Sequence, residues 1–214
     1  MLIATYSFSA RIAGVRTQKI AVSFSVYNIL VLISRTANGF QAPLLANYIE
    51  KTLANIYILD PEYVFRLILL IYSLATLIGI ITTPIMQRLL TLVIKNVNEN
   101  QTIFKSLFIV FKENIKETNK LRLPNKENIN SLLEIKSYNF KIFIYNIIGT
   151  AILSTGVISA IYAGYLNPEF RATSSNLSAL INGFATLIMF LVVDPYLSIL
   201  VDNVKNDRKK RIIF

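Results

Sequence analysis

Arg35 stands inside a run of apolar residues long enough to cross a bilayer. Polar groups within lipid-spanning helices are expensive, about 2.5–3.5 kcal/mol for an arginine at a helix centre on insertion scales, so the way they face is informative. At 100° per residue, Asn28 and Ala42 each fall within about 20° of Arg35 and Asn38 lies about 60° from it, which gives this helix a polar stripe. In the next apolar run Arg66, Ser73, Thr76, Thr83 and Gln87 share an arc of about 100°, and the opposite side is Leu, Ile and Val. Arg171 lies in a short connection further on. A guanidinium pairs bidentately with phosphate oxygens, so arginines gathered toward one side of a membrane suit a diphosphate better than an apolar ligand. The plainer use is that Arg35 and Arg66 snorkel and pair with Glu50, Asp60 or Glu62.

The last apolar run opens with Ser174, Ser178, Asn182 and Thr186 on one face, which either lines a cavity or packs on a neighbouring helix. Asn182 joins the candidate substrate-binding set of Arg35, Asn38, Arg66, Arg171 and Asn28. Asp194 lies about 26 Å along that run from Leu177 and precedes Pro195, which disfavours helix at residue 194. It is a candidate for ion or proton coupling; the alternatives are capping a broken helix or pairing with Arg88.

The elements that must position these residues follow from composition. Of 214 residues 54% are hydrophobic and 16% charged, too apolar for an ordinary soluble domain. Cys, His and Trp are absent, which excludes disulfides, thiolate or imidazole metal sites, thiol nucleophiles and any triad with a His base. No Walker loop, GxSxG elbow, HExxH helix or paired-carboxylate site is recognisable, so no catalytic residue, metal or cofactor is assigned. The net charge of +10 is split between apolar runs instead of forming one solvated face, so it reads as membrane topology and not as nucleic-acid binding.

The pattern predicts an all-α, multipass transmembrane helix bundle in one membrane domain. Its four spans cover about 20–49, 64–94, 140–166 and 177–201, with an amphipathic helical insertion at about 95–138 between spans two and three. Span two is long enough to tilt or to bend at Pro84. In span three two adjacent ridges of small residues, Ala151/Thr155/Ser159/Ala163 and Gly156/Ala160/Gly164, permit close packing on the start of span four. Three of the 22 Lys and Arg precede span one, nine lie in 95–141 and five in the tail, whereas the two short connections hold one each. By the positive-inside rule the large connection and the C-terminus are cytoplasmic, and Arg11 and Arg16 form a basic cytoplasmic entrance. The first ten residues, MLIATYSFSA, are too short to cross; they read as the remnant of an N-terminal span that an upstream start would complete.

Within the insertion Ile103, Phe104, Leu107, Phe108, Phe111 and Ile115 recur at three-to-four spacing among Lys105, Lys112 and Lys116. That is an amphipathic helix ended by Pro124, with a second short helix at 131–137, and it serves either to anchor on anionic lipid or to dock a partner.

Two blocks carry a resemblance: RIAGVRTQKIAVSFSVYNILVLISRTANGFQAPLL, from Arg11 to Leu45, and NPEFRATSSNLSALINGFATLIMFLVVDPYLSILVD, from Asn167 to Asp202. They resemble the Amj family of bacterial lipid II flippases. The resemblance implies a multipass protein of the bacterial cytoplasmic membrane that moves undecaprenyl-diphosphate-linked cell-wall precursor to the outer leaflet, a transporter and not an enzyme. It transfers no site residues, although Arg11, Arg16, Arg35, Asn38, Arg171, Ser174 and Asn176 lie in the matched blocks. The alternative is a scaffold that docks cell-envelope proteins through the amphipathic segment. Energy source and oligomeric state are not legible.

Overall fold

A polypeptide in lipid has to satisfy its backbone polar groups within itself, and apolar runs of this length do so as helices. The computed structural model describes residues 1–56, 59–97, 102–114 and 140–206. Its helices are α1 (Leu2–Thr17), α2 (Ile20–Leu53), α3 (Pro61–Asn96), α4 (Ile103–Asn114), α5 (Phe140–Leu166), α6 (Arg171–Ile188) and α7 (Asp194–Asn206). A single 3-10 turn, Pro168–Phe170, leads into α6, and a π-turn, Met189–Val193, joins α6 to α7. The described residues contain four helical stretches long and apolar enough to cross a membrane: α2, α3, α5 and the run Pro168–Asn203. The helix expected at 131–137, Pro124 and Ile115 lie outside the described residues.

Proline behaves differently from the expectation in span four. Both α2 and α3 continue through Pro43 and Pro84. At Asp194-Pro195 the helix is not broken either, because Asp194 keeps helical angles (φ −64°, ψ −43°) and its N–H donates to the carbonyl of Met189. The wide turn ends where α7 begins at Asp194, so Pro195 falls in the first turn of a helix, where a missing N–H costs nothing.

The chain forms two compact units. The first contains α1, α2 as far as Ser34, α3 from Ala75, and α4. Its core is Ala10, Ala13, Val26, Tyr27, Leu89, Leu90, Val93, Ile94 and Val110. The hairpin between α1 and α2 closes at Gln18, whose φ of 61° is left-handed. It is tight enough that a methyl on Gly14 would lie 2.4 Å from Cβ of Ser23, and the Ser23 hydroxyl donates to the Ala10 carbonyl at 2.7 Å. Residues 1–10 thus belong to a helix packed in this unit, with the Tyr6 and Thr82 hydroxyls hydrogen-bonded at 2.7 Å and Thr5 against Gly79. Lys19 Nζ donates to the carbonyls of Lys95 and Val97, both at 3.1 Å, satisfying acceptors that the end of α3 leaves open.

In α4 the amphipathic pattern divides three ways. Ser106 and Val110 are buried, with Ile103 and Leu107 packed on the same core, while Phe104 and Phe108 turn outward at 64% and 73% exposure. Lys105 and Lys112 are exposed.

The second unit holds α2 from Arg35, α3 to Leu74, α5, α6, the π-turn and α7 to Leu197. Leu45 and Ile49 of α2, Phe65 of α3, and Val157, Ile158 and Ile161 of α5 make its core. Asp60 begins α3 by accepting the Glu62 N–H at 3.0 Å, with Pro61 in the first helical position. Helices α5 and α6 meet through one ridge of small residues. A methyl at Gly156 would lie 2.7 Å from Cγ2 of Ile181, and one at Gly164 3.2 Å from Cα of Arg171. Gly156, Ala160 and Gly164 are buried, whereas Ala151, Thr155, Ser159 and Ala163 are exposed, which corrects the expectation that both ridges pack. One helix can bury only one such stripe against a single neighbour. Thr155 meets its hydrogen-bonding need inside its own helix, donating to the Ala151 carbonyl at 2.9 Å.

Candidate functional site

In the second unit Arg35 projects from α2 onto the π-turn, where its guanidinium carbon lies over the Phe190 ring, 4.5 Å from the centroid. The side chain is half-buried, and among the described residues no carboxylate pairs with it, so neither Glu50 nor Glu62 fills that role. Asn38, three residues on and also half-buried, shares the helix.

Arg66 has the plainer use. It forms an ion pair with Glu62, one turn earlier on α3, and its side chain is 76% exposed. An exposed pair of this kind is worth about 0.3–0.5 kcal/mol, so it leaves Arg66 close to an ordinary surface residue. Arg171 is the first residue of α6 and half-buried, its Cα and Cγ pressed toward Gly164 of α5. Among the described residues no hydrogen bond or ion pair joins Arg35, Arg66 and Arg171.

Asn182 faces α5. Its Oδ1 is fully buried with no hydrogen-bond partner and lies 3.2 Å from the place a methyl on Gly156 would take. A buried amide oxygen in that condition costs about 1–3 kcal/mol unless a ligand group or a water completes it. Asp194, at 9% exposure, is buried at the start of α7.

The remaining candidates belong to the first unit. Asn28 is exposed on α2. Arg11, read from the sequence as part of a basic cytoplasmic entrance, is 4% exposed, with its guanidinium 4.0 Å from the Tyr27 ring and 5.2 Å from that of Phe24. Two rings offer a cation a favourable surrounding inside an apolar core. Arg16 is exposed, and the positive charge of Arg88 repels it.

Three residues of the second unit that the sequence reading did not single out make contacts of interest, Gln41, Tyr72 and Phe190. The Tyr72 hydroxyl of α3 donates to Oε1 of Gln41 on α2, and Gln41 Nε2 is buried with no hydrogen-bond partner. Gln41 carried a signal, as an amide in a long apolar helix six residues past Arg35. Tyr72 and Phe190 carried none, because an aromatic residue among leucines and isoleucines looks like any lipid-facing side chain.

The arrangement offers a guanidinium held by a ring, and two buried amide atoms without partners, in helices that otherwise expose Leu, Ile and Phe. It suits an anionic, hydrogen-bonding group attached to something apolar. No solved structure matches the chain. The chain is similar to the lipid II flippase Amj of Bacillus subtilis (strain 168), with 29% identity over 215 residues that cover 98% of this chain and 78% of that protein. The family model described as Amj, alternate to MurJ, matches residues 1–214. A match over the whole length, on a chain whose described residues form four membrane-length helical stretches, places this protein in the Amj family.

Proposed function

We propose that this chain carries lipid II from the inner to the outer leaflet of the bacterial cytoplasmic membrane, as a transporter and not an enzyme. The observation that carries this reading is the end-to-end relationship to the Amj family and its lipid II flippase. The family relationship does not favour the scaffold alternative.

Lipid II presents an undecaprenyl tail and a glycan head joined by a diphosphate. Arg35 pairs with the diphosphate, its fork meeting two oxygens, while Asn38 and the amides of Asn182 and Gln41 serve head-group oxygens and hydroxyls. Arg171 is the further cation of the set, and Asn28 and Arg16 are polar groups on the cytoplasmic side. The tail stays in lipid against outward-facing side chains of the second unit such as Leu67, Leu70 and Leu74. Alternating access around such a site moves the head across without exposing it to the hydrocarbon. Asp194 is the candidate for coupling the cycle to an ion or proton. Expression of the chain in cells depleted of their other flippases tests this function: growth with normal cell-wall synthesis supports it, and lysis at verified membrane levels of the protein refutes it.

The orientation in this proposal places the C-terminus, the α1–α2 turn and the segment around α4 in the cytoplasm, because 17 of the 22 Lys and Arg lie in the N-terminal segment, in 95–141 and in the tail. The chain has no cysteine, so single cysteines report topology directly. Lys112→Cys is expected to resist an impermeant thiol reagent applied outside, and Phe170→Cys to react with it. Labelling of residue 112 from outside would invert the scheme.

Anionic lipid is the proposed partner of α4. Its core-facing residues are already buried, so Phe104 and Phe108 are left to enter the acyl boundary while Lys105 and Lys112 meet the headgroups. The chain has no tryptophan, so Phe108→Trp supplies a single indole that can be excited apart from the eleven tyrosines. Its emission is expected to be blue-shifted and strongly quenched by lipids brominated near the headgroup end of the chain. Red, unquenched emission would place this face in water.

A further inference from the structure

We propose that Phe190 is the residue that positions the Arg35 guanidinium for the diphosphate head, which rests on the reading of Arg35 as the head-group site. An arginine left alone in an apolar helix swings along its flexible stem toward the nearest water, and a ligand must then recapture it. Here the guanidinium lies over a ring instead, 4.5 Å from its centroid, with Arg35 half-buried and the ring 44% exposed.

The choice of an aromatic partner matters chemically. A carboxylate would neutralise Arg35 and compete with phosphate for the same N–H groups. A ring face takes up none of the five N–H donors and leaves the positive charge in place, so the fork remains available for two phosphate oxygens.

The ring is itself held. Phe190 is the second residue of the π-turn Met189–Val193, which is tied by the bond from the Asp194 N–H to the Met189 carbonyl. Met189 beside it is 7% exposed, and its sulfur lies 2.9 Å from where a methyl on Gly149 would be, so the turn is seated on α5. Adjacent residues of one turn thus address two different helices: Met189 fixes the turn to α5 and Phe190 reaches Arg35 on α2. A π-turn inside a long α-helix is a rare local form that recurs at functional sites.

The test is equilibrium binding of undecaprenyl diphosphate to the purified full chain in lipid nanodiscs. Phe190→Leu is expected to weaken binding about tenfold, and Phe190→Trp, which keeps a ring face, to stay within about twofold of wild type. In an Arg35→Ala background Phe190→Leu is expected to have no further effect, because the two act through one contact. Phe190→Met replaces the leucine variant if that one does not fold. Wild-type affinity in Phe190→Leu together with loss of binding in Arg35→Ala would overturn the role of Phe190 while leaving the Arg35 site in place. Equal weakening by Leu and Trp would overturn the ring-face contact. Undiminished binding by Arg35→Ala would remove the site on which the inference stands.

Discussion

Arg35→Ala is expected to abolish lipid II transport while the protein still inserts and accumulates at wild-type levels. Arg35 is half-buried in a membrane-length helix, and among the described residues no carboxylate neutralises it. Removing one member of a hydrogen-bonded charge pair in a desolvated setting costs about 2–5 kcal/mol, enough to empty the site at ordinary substrate levels. Arg35→Lys keeps the charge but loses the fork and the flat surface that stacks on Phe190, so it is expected to impair transport without ending it. The plainer role makes the opposite forecast. If Arg35 served the fold, the alanine variant would lose abundance; Glu62 is already engaged by Arg66, so removing Glu62 would restore nothing. Complementation assays with quantified membrane levels separate these outcomes.

Gly14→Ala is expected to be the most damaging single methyl in the chain, and the glycines grade the effect. At Gly14 the new carbon would sit 2.3 Å from Oγ and 2.4 Å from Cβ of Ser23. A Cβ cannot swing aside, so α1 and α2 must separate and the bond from Ser23 to the Ala10 carbonyl is lost with them. Overpacking of this kind costs about 1–3 kcal/mol, and the lost bond adds about 1 kcal/mol. Gly156→Ala meets the Ile181 methyl at 2.7 Å and is expected to cost less, because a side chain and not a backbone-adjacent atom gives way. Gly39 and Gly183 have nothing within 4 Å of an added methyl, so alanine there is expected to be neutral or slightly stabilising, as alanine is the better helix former. Thermal unfolding in detergent across the four variants checks the order. A Gly14→Ala protein as stable as Gly39→Ala would show that the α1–α2 contact is not close.

How much of this was legible in the sequence depended on which solvent did the sorting. Bilayer thickness fixes how long an apolar run must be, so the lengths of α2, α3 and α5 and the all-α class could be read from hydropathy alone. Facing was harder, because lipid is as apolar as a protein core and burial then leaves no hydrophobic periodicity behind. The ridges 151/155/159/163 and 156/160/164 are equally small, yet only the second is buried. Arg11 looked like a solvated entrance because its neighbours on the helix did not reveal that Tyr27 would close over it. The Arg35 environment was half legible: the cation and its amide neighbours stand out by type, while Phe190 becomes visible only when the π-turn brings it to α2. Asp194-Pro195 misled for a related reason, since the local rule against helix before proline gives way when a wide turn restarts the helix there.

Movement of lipid II between leaflets is measured on the purified full chain reconstituted in sealed vesicles containing lipid II labelled on its head. An impermeant reagent added outside destroys only label it can reach. With the chain present, the inner-leaflet pool is expected to become reachable over time until nearly all label is lost, and vesicles bearing Arg35→Ala are expected to stop at the outer-leaflet share. Loss limited to the outer-leaflet share with the wild-type chain, as in vesicles without protein, would contradict the account.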